Sequence, residues 1–186
     1  MAGLDLGGNL ITGSDGTYKF KINNGSVDCL TLDTTERLRY PSQAGFIAGL
    51  NGATDWVAFP ATTWNLIPCG VTILNIGNCY NTSTYRFTAP VNGSYIFVAS
   101  MYLSNSGDTA TFMHPMFWVN GSYAYQHPNG NTAYRVRGYA EAVTDAQIQE
   151  IYVLTAGDFV EFRCYSSSAN GNYLPGYSYF AGFQIG

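Results

Sequence analysis

The side chains that could perform acid–base or nucleophilic chemistry are few in this sequence. Its two histidines, His114 and His127, are too few for a three-histidine zinc site within one chain. The sequence contains no Gly-x-Ser-x-Gly nucleophile elbow, phosphate-binding loop or dinucleotide fingerprint. We therefore predict that the protein is not an enzyme and has no catalytic residues.

The acidic residues do not pair in a way that suggests catalysis. Asp158 follows a glycine, which predicts a structural role in a turn, and Glu161 and Arg163 share one strand face as a solvated or interface ion pair. Asp55 and Asp108 are conceivable calcium ligands, but no acidic loop has the spacing of a calcium site. We predict no metal site and no cofactor, with calcium as the alternative.

The cysteines give information about the compartment. None of the four (Cys29, Cys69, Cys79 and Cys164) belongs to a Cys-x-x-Cys pair. The opening Met-Ala-Gly-Leu-Asp lacks the charged-then-apolar order of a secretion signal, so we expect assembly in a cytoplasm. Because thiols stay reduced there, we predict free, buried thiols at all four positions.

Aromatic, amide and basic side chains concentrate in two predicted loops. Sugar rings stack on aromatic faces while Asn and Arg hydrogen-bond to hydroxyl groups, so these loops are candidates for glycan binding. The competing interpretation is that the tyrosines bury area between subunits. The candidate ligand-binding residues are Tyr123, Tyr125, His127, Asn129, Arg135, Arg137, Tyr173 and Tyr177.

The overall composition restricts the partners. Charged residues make up 11% of the chain, aromatic residues 16%, and the net charge is −4. Both lysines, Lys19 and Lys21, lie near the N-terminus without a basic cluster after them, which argues against nucleic acid. No apolar stretch approaches the roughly 18 residues of a membrane helix, so we predict no membrane insertion. Surplus aromatic residues favour a subunit interface or contacts with proteins and glycans.

Short-range patterns predict an all-β fold. Residues 140–154 contain good helix formers, but an Ile-Tyr-Val-Leu run favours a strand over the helical alternative. Residues 95–103 and 112–119 are apolar on both faces, which indicates a second covering layer, most simply a neighbouring subunit. Hairpin turns are predicted at six Asn-Gly dipeptides, which begin at Asn24, Asn51, Asn92, Asn120, Asn129 and Asn170.

A composition change near residues 40–43 predicts two parts. Residues 1–42 contain two or three short strands and too little apolar mass for a core of their own, so they form a β stalk or attachment segment. Tyr18, Phe20 and Ile22 alternate with polar residues and are candidates for particle attachment. Residues 43–186 form the head.

Two segments of the head resemble a known family. Val71-Thr-Ile-Leu-Asn-Ile-Gly-Asn-Cys-Tyr80 and Arg86-Phe-Thr-Ala-Pro-Val-Asn-Gly-Ser-Tyr-Ile-Phe97 resemble the central signature of the complement component one subcomponent q globular heads, within the tumour-necrosis-factor-like superfold. Thr84-Tyr85 stands where that family usually has Thr-Gly, which puts the local turn in doubt. The resemblance implies a ten-stranded antiparallel jelly roll that forms trimers. The implied trimer-interface residues are Phe46, Tyr95, Phe97, Tyr102, Phe117, Phe183 and Ile185.

The front segment resembles a different context. Leu30-Thr-Leu-Asp-Thr and Tyr40-Pro-Ser-Gln-Ala-Gly-Phe46 resemble the stalk-to-head junction of phage fibre proteins, and no collagen repeat precedes the head. The resulting hypothesis is a homotrimeric fibre or spike head on a virion surface, assembled in the host cytoplasm. It would bind a host-surface receptor or glycan and contact other virion proteins through its N-terminal segment. The alternatives are a capsid decoration or cement trimer and a free lectin-like recognition protein.

Overall fold

The computed structural model describes residues 10–12, 18–20, 30–32, 38–39, 43–52, 55–106, 111–123, 136–137 and 143–185. The chain divides into two compact units, Met1–Gln43 and Ala44–Gly186. Among the described residues all regular structure is β-strand, so the prediction of an all-β fold is confirmed.

The N-terminal unit contains a small antiparallel sheet. Its strands are β1 (Leu10–Thr12), β2 (Tyr18–Phe20), β3 (Leu30–Leu32) and β4 (Leu38–Arg39), paired in sequence order. Four strands exceed the predicted two or three. Tyr18 and Phe20 lie on β2, as their alternation predicted, whereas Ile22 lies outside the described residues.

The second unit is a jelly roll of two antiparallel sheets, as predicted. Its described part has nine longer strands and four two-residue segments. The seven-stranded sheet has the order β13-β12-β16-β10-β9, with β14 beside β12 and β7 beside β16; the six-stranded sheet has the order β15-β11-β17-β5-β8, with β6 beside β17. The strands are β5 (Gly45–Gly49), β6 (Val57–Ala58), β7 (Thr63–Leu66), β8 (Val71–Ile76), β9 (Tyr80–Asn81), β10 (Arg86–Thr88), β11 (Gly93–Ser104), β12 (Phe112–Val119), β13 (Ser122–Tyr123), β14 (Val136–Arg137), β15 (Val143–Leu154), β16 (Phe159–Ser166) and β17 (Asn172–Gln184).

The core between the two sheets is aromatic. Phe180 of β17 packs against Phe46 at 4.8 Å and Phe117 at 5.5 Å between ring centroids. Gly182 permits this packing, since an added Cβ would lie 2.6 Å from the Phe97 ring and 2.7 Å from the Phe46 ring. The close approach of backbone to rings explains why a strand interior here requires glycine.

The alternative between helix and strand at residues 140–154 is decided by pairing. β15 aligns with β11 over twelve consecutive positions, from Gly93↔Leu154 to Ser104↔Val143. Burial of Ala146, Tyr152 and Leu154 against the core, with Ile148 partly buried, outweighs the helical propensity of the segment.

Only one of the four described Asn-Gly dipeptides forms the predicted turn. Asn120 and Gly121 have φ values of 52° and 75°, and they connect β12 to β13. Asn92 instead accepts a hydrogen bond from the Ala156 N–H at 2.9 Å. The prediction of a positive-φ turn is wrong at Asn51, Asn92 and Asn170, because their φ values are not positive.

Candidate recognition surface

The outward face of the six-stranded sheet is unusually apolar. Eleven large hydrophobic side chains are exposed among the described residues; eight of them lie in strands of this sheet and none in the seven-stranded sheet. A sheet whose second face meets water normally alternates apolar with polar residues, so this distribution identifies the surface that needs a covering partner.

One apolar row crosses the whole outward face. Residues directly opposite one another in antiparallel strands point to the same side, and the registers align five residues across five strands. The Phe183 ring lies over Gly45, where an added Cβ would be 2.5 Å from the ring. In order, the row is Ile151, Ile96, Phe183, Gly45 and Ile76.

The neighbouring positions extend this apolar area. Val153 follows Ile151 on the edge strand, and the two side chains are 75% and 58% exposed. The next row contains Val98, Ala181 and Ile47, with Gln149 at the β15 edge. We call this area, with the row above, the apolar face.

Three aromatic rings occupy the opposite end of the same sheet. Tyr102 stacks on Trp56 with centroids 5.8 Å apart and contacts Tyr177 at 5.5 Å. Trp56 is 42% exposed and Tyr177 is 68% exposed. We call Trp56, Tyr102 and Tyr177 the aromatic cluster.

The outward face of the seven-stranded sheet carries a buried carboxylate. Glu161 accepts hydrogen bonds from Arg86 Nε at 2.6 Å and Arg163 Nε at 2.9 Å. Arg86 lies over the Phe159 ring and Arg163 over the Trp118 ring, at 4.2 and 4.5 Å. The prediction of a solvated or interface pair is corrected: Glu161 is fully buried within the chain, because two guanidinium groups and their stacked rings cover it.

Asp158 organises the turn before β16, as predicted. Asn120 Nδ2 donates to its Oδ1 at 2.8 Å and the Thr155 N–H donates to its Oδ2 at 2.8 Å. These donors, Asn120 first, lower the pKa of the Asp158 carboxyl below its usual value.

The described cysteines are free, as predicted. Cys69, Cys79 and Cys164 are buried and unpaired, while Cys29 lies outside the described residues. Burial raises the pKa of the Cys69 and Cys164 thiols to about 12 and that of Cys79 to about 11. Such thiols are unreactive in the folded chain.

The residues predicted for the trimer interface fall into two groups. It is wrong for Phe46, Tyr95, Phe97 and Phe117, because these side chains are fully buried in the chain's own core. The other candidates, Tyr102, Phe183 and Ile185, lie on or beside the outward face of the six-stranded sheet and stay predictions. The sequence analysis did not identify Ile96, Ile151 or Val153. The available signals were the apolar character of β11 on both faces for Ile96 and the Ile-Tyr-Val-Leu run of β15 for Ile151 and Val153.

The predicted ligand-binding residues divide into four that lie outside the described residues and four that lie on strands. Tyr125, His127, Asn129 and Arg135 lie outside the described residues, as does the conceivable calcium ligand Asp108; Tyr123 and Arg137 lie on β13 and β14, at opposite ends of β12. The prediction is wrong for Tyr173, which is 7% exposed and packs on Phe59 at 4.8 Å between ring centroids. Tyr177 is exposed and belongs to the aromatic cluster.

The described ranges contain neither a cluster of metal ligands nor a helix able to span a membrane. No group of three or more His, Cys, Asp or Glu side chains there is arranged to hold a metal ion. No helix in those ranges is long and apolar enough to cross a membrane.

Comparisons with known proteins agree with this fold. No protein-family model matches the chain. Complement C1q tumor necrosis factor-related protein 3 from Mus musculus is 32% identical over 113 residues, and the Homo sapiens protein is 31% identical over 116 residues. Each match covers 60% of this chain, and the chain spans 41% of the length of these curated relatives.

Two solved structures share the jelly roll. The globular domain of zebrafish complement 1qA protein superposes with a TM-score of 0.52 at 13% identity, covering 77% of this chain and 98% of that domain. Murine APRIL at pH 8.5 superposes with a TM-score of 0.51 at 11% identity, covering 77% and 99%. The chain therefore contains a jelly-roll domain homologous to C1q/TNF-like globular domains.

Proposed function

We propose that this chain is a non-enzymatic recognition module that acts as a homotrimer. C1q/TNF-like domains typically form homotrimers. The observation that carries the proposal is the apolar row from Ile151 to Ile76, since a monomer would leave it in water. Three copies that meet through their apolar faces would bury it, at about 25 cal/mol for each Å² removed from water.

A pair of substitutions on one strand tests the trimer. Ile151→Asp places a charge in the apolar row, whereas Gln147→Asp places the same charge four residues away, at an outward, exposed and already polar position on β15 outside the apolar face. Analytical ultracentrifugation should show trimers for the wild type and Gln147→Asp, and monomers for Ile151→Asp, because an unpaired buried charge is costly. A wild-type chain that sediments as a monomer at micromolar concentration contradicts the proposal.

We further propose that the trimer is the head of a phage fibre or spike and binds a host-surface receptor or glycan. Support comes from the sequence of the junction around Tyr40-Pro-Ser-Gln, which resembles the stalk-to-head junction of phage fibre proteins. The localisation on a virion surface is part of this proposal.

Immunogold labelling of the parent particle tests the location. Antibody to the head should label fibre or spike tips, and an excess of the free trimer should block adsorption of the particle to its host. Labelling spread over the capsid lattice, without any block of adsorption, would replace this proposal with the decoration protein.

A further inference from the structure

The aromatic cluster is presented by an irregularity in β17. The register between β11 and β17 passes from Ser100↔Tyr179 to Tyr102↔Leu174, so residues 175–178 have no partners on β11. The Ser178 hydroxyl donates to the Leu174 carbonyl at 3.0 Å and closes this bulge. Bulges redirect side chains and are frequent beside functional sites, and this one places Tyr177 in solvent.

Leu174 indicates what the rings do for the fold. Its register partner is Tyr102, so the Leu174 side chain points to the outward side of the sheet. It is nevertheless buried. Tyr102, on which Trp56 stacks, lies on that same side of the sheet. Tyr177 is mostly in water and adds little burial, so its position is not explained by packing within the chain.

In the described part of the chain, the two charged residues beside the cluster are both acidic. Asp145 lies directly opposite Tyr102 on β15, and Asp55 precedes Trp56; both carboxylates are exposed. The strands of the six-stranded sheet contain no Lys, Arg or His. Electron-rich rings next to carboxylates attract a cation and repel an anion.

We propose that the aromatic cluster binds the trimethylammonium group of a small organic cation such as choline. Because Tyr102 is itself stacked on Trp56 and contacts Tyr177, the methyl groups would contact the exposed ring surfaces of Trp56 and Tyr177, whose quadrupoles attract the positive charge. Asp145, opposite Tyr102, would add Coulomb attraction at the rim. This site is separate from the apolar face, and the proposal does not depend on the virion role.

A ligand pair that differs only in charge tests the proposal. Saturation-transfer difference NMR on the intact protein should give a Kd for choline on the order of millimolar, as expected for exposed cation–π contacts. Dimethylbutanol, the neutral isostere in which carbon replaces nitrogen, should bind roughly tenfold more weakly or not at all. Equal binding of the two compounds would overturn the proposal, as would binding of neutral monosaccharides in preference to choline.

Matched variants locate the site and separate it from the trimer. Tyr177→Leu should weaken choline binding by about fivefold and Asp145→Asn by about threefold. Glu150→Gln is the control, since Glu150 is on the same strand opposite Phe97 and points to the other side. All variants should keep the sedimentation coefficient of the wild type. Choline binding that Tyr177→Leu leaves unchanged, or a loss of trimers in that variant, would overturn the assignment of this cluster as a ligand site.

Discussion

At the residue scale, several positions are determined by their immediate neighbours. Gly182 is required because two core rings occupy the space that a Cβ would need, and Gly45 leaves room for the Phe183 ring on the outward face. Asp158 holds the turn before β16 through hydrogen bonds from a side chain and a backbone N–H. These positions have measurable consequences.

Removing the Asp158 carboxylate should change how stability depends on pH. Its pKa is lowered in the folded chain, so it stabilises the fold above the unfolded value of about 3.9, and this stabilisation is lost as the pH falls through the lower folded value. The Asp158→Asn variant should therefore lose less stability than the wild type as the pH falls below about 4, as measured by thermal melts. Asp145→Asn, at an exposed strand position, is the control and should follow the wild type. Parallel pH profiles for Asp158→Asn and the wild type would contradict this role.

The buried thiols should not react until the chain unfolds. Iodoacetamide at pH 8 should leave Cys69, Cys79 and Cys164 unmodified in the native protein, because burial holds their pKa values at about 11 to 12 and excludes the reagent. Peptide mass spectrometry after labelling in denaturant without reductant should find all three modified. Rapid native labelling of any of the three would show that the structure around it opens locally.

At the element scale, the presence of a strand was easier to predict than the side of the sheet to which each of its residues points. The alternating residues 160–164 gave both the strand and its phase: Val160, Phe162 and Cys164 are buried, as the alternation predicted. Residues 95–103 have no alternating polar phase, so their pattern does not indicate which side faces the core. The register then decides: Tyr95 and Phe97 point inward, while Ile96 and Val98 point outward. Tyr95 and Phe97 were wrong as interface candidates for this reason.

The pairing of Glu161 with two arginines is an element-scale feature that sequence spacing only partly indicated. Arg163 lies two residues away, but Arg86 is 75 residues away and reaches Glu161 because β10 pairs with β16. Residues so far apart in the sequence give no sign of such a contact. The stacked rings of Phe159 and Trp118 complete the cover of the Glu161 carboxylate.

Truncating Glu161 should destabilise the head. Glu161→Ala leaves two guanidinium groups without their acceptor; because both are partly exposed, we expect a loss of about 1–3 kcal/mol rather than the larger cost of an isolated buried charge. Urea denaturation at equal protein concentration measures it. Glu150→Ala, a half-exposed glutamate on β15, is the matched control and should cost less. A neutral effect of Glu161→Ala would mean that water replaces the carboxylate.

At the scale of the whole molecule, the sequence predicted the jelly-roll fold. It did not predict which surface a partner subunit would cover or which surface would bind a ligand. The motifs around residues 71–97 established the fold class because turn and core residues follow one another locally along the chain. The apolar row could not be derived in this way, since it joins five strands whose alignment depends on registers and on two bulges. Val153 and Tyr177 are exposed for the same reason: their orientation is a property of the assembled sheet.

The last prediction concerns how the two units divide the work. Residues 44–186 contain the complete aromatic core, whereas residues 1–43 contain a sheet of four strands of two or three residues. A sheet of that size rarely buries enough apolar surface to be stable alone, so its stability should come from sister chains or a larger assembly.

Deleting residues 1–42 should therefore leave a soluble head that still sediments as a trimer and no longer joins the parent particle. Incorporation is measured by mass spectrometry of purified particles, with Ile151→Asp as the comparison that should lose trimers but keep the attachment segment. If the truncated head still decorates particles at normal occupancy, attachment lies in the jelly roll; if it no longer forms trimers, residues 1–42 act as the clamp for assembly.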